Sequence, residues 1–269
     1  MRRIITSFAL IGLAIVCLFL AKQTLLLAKP STTAAETMLS ANRLYEMSQF
    51  AQAAHGYEQL IDQGFADSAL FYNLGNAYFK QAEYGRAILN YRHAERLAPR
   101  DADIQANLGL ARSQTVDQLE AASTRNNPIR QLAHLTQAWM TLNELGFVAL
   151  GLWVLFAFLI VAFSSARRGS VLREGLSYAL VVSGLALIMG LAGLGSRLYI
   201  EKTYPQAVVV AQEVDVTSGP GSQYVTEFTL HNGAEVDMLE AREHWVRLAL
   251  PDGDLEGWVP ASAVEAVVN

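Results

Sequence analysis

Five histidines, His55, His93, His134, His231 and His244, are the side chains best suited to ligate a metal or carry a proton near neutral pH, and they are scattered over different segments. No two sit at the i,i+4 spacing that a helical zinc site needs. The one cysteine, Cys17, lies inside an apolar run. A single thiol allows no intrachain disulfide and no thiolate metal cage. Buried in such a run it cannot serve as the nucleophile of a cysteine-type wall peptidase. Asp252 and Asp254 are paired acids, but Pro251-Asp252-Gly253-Asp254 reads as a solvated turn. No glycine-rich phosphate loop follows a strand. The sequence therefore predicts no catalysis, no metal and no cofactor. Two groups remain that suit recognition instead. Asn42, Asn73, Asn76 and Asn107 each carry an amide donor and acceptor, and Lys80 a cationic donor. Tyr224, Trp245 and Trp258 offer aromatic surface.

The asparagines fall in a segment with internal self-similarity. Phe50 and Tyr84 are 34 residues apart, as are Ala53 and Ala87, and Tyr57 and Tyr91. The second copy is the sharper: Phe71-Tyr72-Asn73-Leu74-Gly75-Asn76-Ala77-Tyr78, then Tyr84, Ala87, Tyr91, Ala94 and Pro99. Gly75 and Ala87 are small enough for two helices to approach closely. The tyrosines fill the space between neighbouring helices, and Pro99 ends the second helix. A looser first copy runs from about 34 to 67, with Ala41 in the glycine position. A third begins with Asn107-Leu108-Gly109 and fades after Arg112, so that residues from 102 to about 119 are expected to cap the array.

This 34-residue pattern resembles the tetratricopeptide family. The resemblance implies a repeat domain over 34–119 with a concave groove lined by the first helix of each repeat, faced by Asn42, Asn73, Asn76, Lys80 and Asn107. These amides are otherwise simply solvated. Some members clamp a peptide carboxylate with paired lysines; the matching positions here are Met38 and Asp103, which argues against a clamp.

The chain is 52% hydrophobic and 17% charged, and the apolar excess sits in three blocks rather than one large core. The first, from Ile4 to Ala21, follows Arg2-Arg3 and carries no charge. With the flanking residues it makes 1–29 a signal sequence or a membrane anchor. Lys22-Gln23-Thr24 in place of a small-x-small cleavage site favours an uncleaved anchor. Val16 before Cys17 argues against lipidation. The second block gives a transmembrane helix at 145–163 and the third another at 176–197. Between them, 164–175 is a basic loop with Arg167, Arg168 and Arg173, expected to face the cytoplasm together with the N-terminus. The segments 30–144 and 199 onward then lie outside, in spite of Arg197 and Lys202. Ala186 and Gly190 form a small-xxx-small pair that suits close packing, either within the hairpin or against a partner helix.

Residues 120–144 read as a linker, broken at Asn126-Asn127-Pro128, followed by a helix over about 128–140 resting on the outer membrane surface. Thr141-Leu142-Asn143-Glu144 fits a capping box for the next helix. From 204 to 269 the composition changes to short alternating strands. Turn signals at Ser218-Gly219-Pro220-Gly221, His231-Asn232-Gly233 and Pro251–Asp254 separate them, which predicts a small closed barrel. The landmarks Val214–Pro220, Phe228–Gly233, Trp245–Leu248 and Gly257–Pro260 resemble the bacterial SH3 family. That implies a binding module for protein segments or cell-wall peptides, with Trp258 either on its ligand surface or in its core. Residues 201–269 hold twelve acidic and three basic side chains, a net charge of −9. Such a field disfavours anionic ligands.

The expected fold is thus a multidomain membrane protein: all-α tetratricopeptide repeats, a transmembrane helical hairpin and a small all-β SH3-like barrel. This order of parts resembles the BatE-type proteins of the Bacteroides aerotolerance operon. The resemblance implies a bacterial cytoplasmic-membrane scaffold that binds extracytoplasmic proteins. Its implied partners are von Willebrand A-domain membrane proteins and, through them, a MoxR-type ATPase. The alternative is a cell-wall sensor binding peptidoglycan peptides. The net charge of −5 speaks against nucleic acid.

Overall fold

A computed structural model describes residues 32–117, 127–251 and 255–267. The first apolar block, Cys17, Leu119, Asp252 and Asp254 lie outside them. Among the described residues, Leu142–Gly195 is one compact unit, and Thr32–Thr141 joins the residues from Ser196 onward in a second.

The second unit opens with five helices: α1 (Thr32–Glu46), α2 (Phe50–Asp62), α3 (Ser68–Lys80), α4 (Tyr84–Leu97) and α5 (Ala102–Arg112). The period of 34 is visible at the level of single backbone bonds. Ser48 and Ala82, 34 residues apart, both adopt left-handed backbone, with φ of 60° and 59°. Around the first, Ser48 N–H bonds Tyr45 O and Gln49 N–H bonds Leu44 O. Around the second, Ala82 N–H bonds Phe79 O and Glu83 N–H bonds Tyr78 O. The same tight turn therefore closes both helix pairs. Side chains start the helices that follow: Asp67 Oδ1 accepts from Leu70 N–H at 2.8 Å, and Asp101 Oδ1 caps the first turn of α5. Inside the pairs, Ala53, Ala87, Tyr57 and Tyr91 are fully buried. A Cβ built on Gly75 would come within 2.7 Å of the Tyr91 ring. The third copy supplies one helix only; α5 buries Ile104, Leu108 and Ala111.

Helix α6 (Pro128–Trp139) follows. The Asn-Pro pair that looks like a breaker is its start. Asn127 Oδ1 accepts from Ile129 and Arg130 N–H groups, and Pro128, which has no N–H to lose, takes the first helical position.

From Gln206 the chain forms seven strands: β1 (Gln206–Val209), β2 (Glu213–Thr217), β3 (Thr226–His231), β4 (Glu235–Arg242), β5 (Trp245–Ala249), β6 (Glu256–Pro260) and β7 (Val264–Ala266). They make one antiparallel sheet in the order β3-β2-β6-β5-β4-β1-β7. The ladder ends at β3 and β7, which are not paired with each other, so the backbone bonding is that of an open sheet rather than the closed ring expected. Irregularities in register, at Val216/Thr217 and Met238/Glu240, mark where strands bend. Val209, Val216, Val236, Leu248 and Val259 form the core on its inner face.

The sheet is not a separate body. Val208 of β1 and Val267 belong to the same buried cluster as Leu70, Tyr91 and Leu108 of the repeats. Strand β1 alternates: Ala207 and Val209 point into the sheet's own core and Val208 points into the helices. Gly85 on α4 makes this possible. A Cβ there would lie 2.5 Å from Val209 O, and its N–H donates to Asn232 Oδ1 at 2.6 Å.

In the other unit, α7 (Leu142–Ser165) and α8 (Val171–Thr203), of 24 and 33 residues, are both long and apolar enough to cross a membrane; α8 runs on past the unit's end at Gly195. Both exceed the expected 145–163 and 176–197. The connection shrinks from the expected 164–175 to 166–170, because Ser170 caps the next helix through Arg173 N–H and brings Arg173 into α8. Gly184 and Gly190 pack against Phe156, and against Leu152 and Ala149, so small residues here serve contact within the hairpin.

Gly75→Val should force the Tyr91 ring out of place and cost about 1–3 kcal/mol, read as a lower urea midpoint. An unchanged midpoint would mean that the helices are not held at this separation.

Candidate functional site

The asparagines come together in a pattern that repeats. Tyr57 Oη donates to Asn42 Oδ1 at 2.7 Å, and Asn73 Nδ2 lies 3.4 Å from the same oxygen. One period later Tyr91 Oη donates to Asn76 Oδ1 at 2.7 Å, and Asn107 Nδ2 donates to it at 2.9 Å. Asn107 Nδ2 also reaches Tyr72 Oη at 2.9 Å. Each unit is a tyrosine from the second helix of a repeat, an asparagine from its first helix and an asparagine from the next repeat. Burial pushes the Tyr57 hydroxyl up to about 12 and raises that of Tyr91 further. Both therefore remain protonated donors at any physiological pH.

The arrangement modifies the expected role of these amides. Asn42, Asn73, Asn76 and Asn107 are half-buried and engaged with one another, so their first task is to stitch consecutive repeats. Lys80, in the last turn of α3, is exposed. Leu110, one period after Asn76, is exposed as well. Met38 packs against the repeat core and Asp103 stands in the first turn of α5, so the lysine positions of a carboxylate clamp are filled by other chemistry. The tyrosine half of the stitch was visible as a 34-residue recurrence, but the recurrence alone does not distinguish a packing ring from a hydroxyl donor.

The aromatic group at the sheet divides. Trp258 is only 7% exposed, and the Arg242 guanidinium lies 4.9 Å from its ring centre. It is absent from the sheet's inner core and is paired across β5 with Arg247. A buried, arginine-covered ring is not an open ligand platform. Trp245 is half-buried at the start of β5, and Tyr224 is 45% exposed. The edge of its ring defines the space beside Gly219. The histidines have separate surroundings: His55 meets Gln59, His93 stacks on Phe71, and His231 Nδ1 lies 3.0 Å from Asp117 Oδ1. Among the described residues, no three His, Cys, Asp or Glu side chains gather where they could hold a metal ion.

Composition and motifs gave no sign of the polar seam between helices and sheet. Glu235 sits between two arginines, 3.1 Å from Arg92 Nε and 2.6 Å from Arg112 Nε. Arg112 Nη2 adds a second bond at 3.0 Å, which makes the pair bidentate. Arg92 also donates to Gln206 Oε1, and Arg96 donates to Val267 O at 2.6 Å. Further along the seam Arg130 of α6 lies 2.9 Å from Asp237 Oδ2. Burial alone would raise the Glu235 carboxyl; Arg92 and Arg112 outweigh it and hold it below its ordinary value. For Asp237 burial wins over Arg130, and its carboxyl is raised. Charges on four separate segments, α4, α5, α6 and β4, carry this seam, and no local motif joins them.

The model of the TPR repeat family matches residues 75–115, from Gly75 through α4 and α5 into the turn that follows. No curated protein is significantly similar to the chain. TPR repeats generally mediate protein–protein interaction, and this part of the chain is similar to them.

Glu235 is more acidic in the folded chain than in the unfolded one. Its stabilisation is therefore complete above about 4.5, its ordinary value, and is lost as pH falls through the folded value. Glu235→Gln should cost about 2 kcal/mol at neutral pH, and the gap to the parent should narrow at acidic pH, as the carboxylate is protonated. Urea unfolding at the two pH values checks this; a gap independent of pH would exclude an ionic role for Glu235.

Proposed function

We propose that this chain is a non-enzymatic scaffold of a bacterial cytoplasmic membrane, of the BatE type, holding extracytoplasmic proteins on its repeats and on an SH3-like domain. The observation that carries the reading is the fusion of the TPR-like array with the sheet through one buried cluster. The repeat array and the sheet are thereby held at a set spacing, which is what a scaffold requires and a flexible tether does not.

The anchoring rests on α7 and α8, with 24 and 33 residues, and on the arginines at 167, 168 and 173. In this reading the N-terminus and the hairpin turn face the cytoplasm, while 30–144 and 199 onward lie outside. The domain limits follow: an anchor or signal at 1–29, repeats at 34–119, and the SH3-like domain at 204–269. The partners proposed are von Willebrand A-domain membrane proteins and, through them, a MoxR-type ATPase. Peptidoglycan peptides are the ligand in the alternative sensor reading, which the burial of Trp258 weakens.

The whole chain is the proper bait, because the isolated repeats would expose the face that covers Val208 and Val267. Solubilised in mild detergent, it should retain an A-domain membrane protein from its host. Lys80→Glu with Leu110→Asp, both on exposed groove positions, should lower that recovery about tenfold, a loss of about 1.4 kcal/mol, with the thermal midpoint unchanged. Retention of purified wall peptides and of no membrane protein would replace the scaffold reading with the sensor.

A further inference from the structure

Helix α6 is amphipathic in the reverse sense for a helix packed on a protein. Arg130, Ala133 and Gln137 follow the 3–4 spacing of one helical face, and that face is turned inward. Arg130 pairs with Asp237 at 2.9 Å, and its guanidinium lies 4.3 Å from the Tyr204 ring centre. Ala133 is buried. The opposite face carries Leu132, Leu135 and Trp139, with Ile129 on the flank nearest Ala133. Of these Ile129 is 43%, Leu135 65% and Trp139 71% exposed. Removing such side chains from water is favourable, so apolar groups left exposed in this way call for a cover.

From these features we infer that the outer face of α6 lies in the headgroup region of a lipid bilayer, as an interfacial foot beside the membrane entry; the inference rests on the membrane reading of α7. Five observations select lipid as the occupant. Only Met140 and Thr141 separate α6 from the 24-residue apolar helix α7. The far end of α8 carries Leu198 and Tyr199, also exposed. Arg197 Nη1 donates to Met140 O at 2.7 Å, which ties that end to the end of α6. Trp139 and Tyr199 are the residue types that settle at the boundary between acyl chain and headgroup. Finally, α6 itself contains no acidic residue.

Charge narrows the lipid further. The segment from 201 onward carries −9, and α6 has a single arginine, already paired. The foot is therefore held by apolar burial rather than by attraction to anionic headgroups. It should engage phosphatidylcholine as well as mixtures containing phosphatidylglycerol.

The test uses the full chain, with Cys17→Ser, reconstituted in phosphatidylcholine vesicles. Single cysteines are introduced at Leu135, Ile129, Ala138 and Phe158 and labelled with a small fluorophore. Phe158, exposed on α7, reports insertion itself. The expected result is quenching of the 158, 135 and 129 labels by lipids carrying a shallow nitroxide. The 135 and 129 labels should also be severalfold less open to iodide than the 138 label. A lipid-quenched 158 label with iodide-accessible 135 and 129 labels overturns the foot and leaves the anchor standing. Absence of lipid quenching at 158 overturns the anchor and the foot together. Shielding of 135 and 129 from iodide without lipid quenching means that a second copy of the chain covers the stripe, which also overturns the inference.

Discussion

Everything outside the apolar hairpin depends on how near the backbone of α4 comes to strand β1. Gly85 leaves no room for a Cβ against Val209 O, and its own N–H is taken by Asn232. Val208 can then enter the helical core while its neighbours Ala207 and Val209 stay in the core of the sheet. Period-two alternation thus divides one short strand between two cores. The ionic seam of Arg92, Arg112 and Glu235 stands beside this contact and is secondary to it. Charges of that kind are costly to bury and fix a register chiefly where packing has already removed water.

Within the array, polarity does work usually left to apolar packing. The stitch of Tyr57, Asn42 and Asn73 and its copy at Tyr91, Asn76 and Asn107 place hydrogen-bonded amides between successive repeats. Apolar contacts tolerate sliding, whereas an amide shared by two directed bonds does not. This sets the offset between repeats, and with it the spacing of exposed positions such as Lys80 and Leu110. A short array with one terminal helix needs such a device more than a long one, since fewer neighbouring interfaces hold it.

Much of the architecture was legible in the residues. The 34-residue recurrence, the second and third uncharged blocks and the alternating runs after 204 are each local patterns, and they appear as helix pairs, long apolar helices and strands. Other features rest on contacts that are not local in the sequence. The Asn127-Pro128 pair has the chemistry of a break and of a start alike; only the hydrogen bonds to Asn127 decide between them. The sheet was expected to stand as its own domain, because nothing in residues 204–269 announces that Val208 and Val267 belong to another core. The recognition residues divided for the same reason: amides meant for a ligand found partners in the next repeat, and Trp258 found a cover in Arg242.

The shared core also orders events in time. Gly85 bonds a residue 147 positions later, and Arg96 one 171 positions later. During synthesis the repeats emerge first, then the hairpin, and the strands that complete the helical core come last. Until they arrive, the sheet-facing side of α4 is an unfinished surface, and closing contacts of such long range is slow. A chaperone holding the nascent helices, or early insertion of the hairpin that shortens the effective loop, would shape the yield of folded chain more than the final stability does.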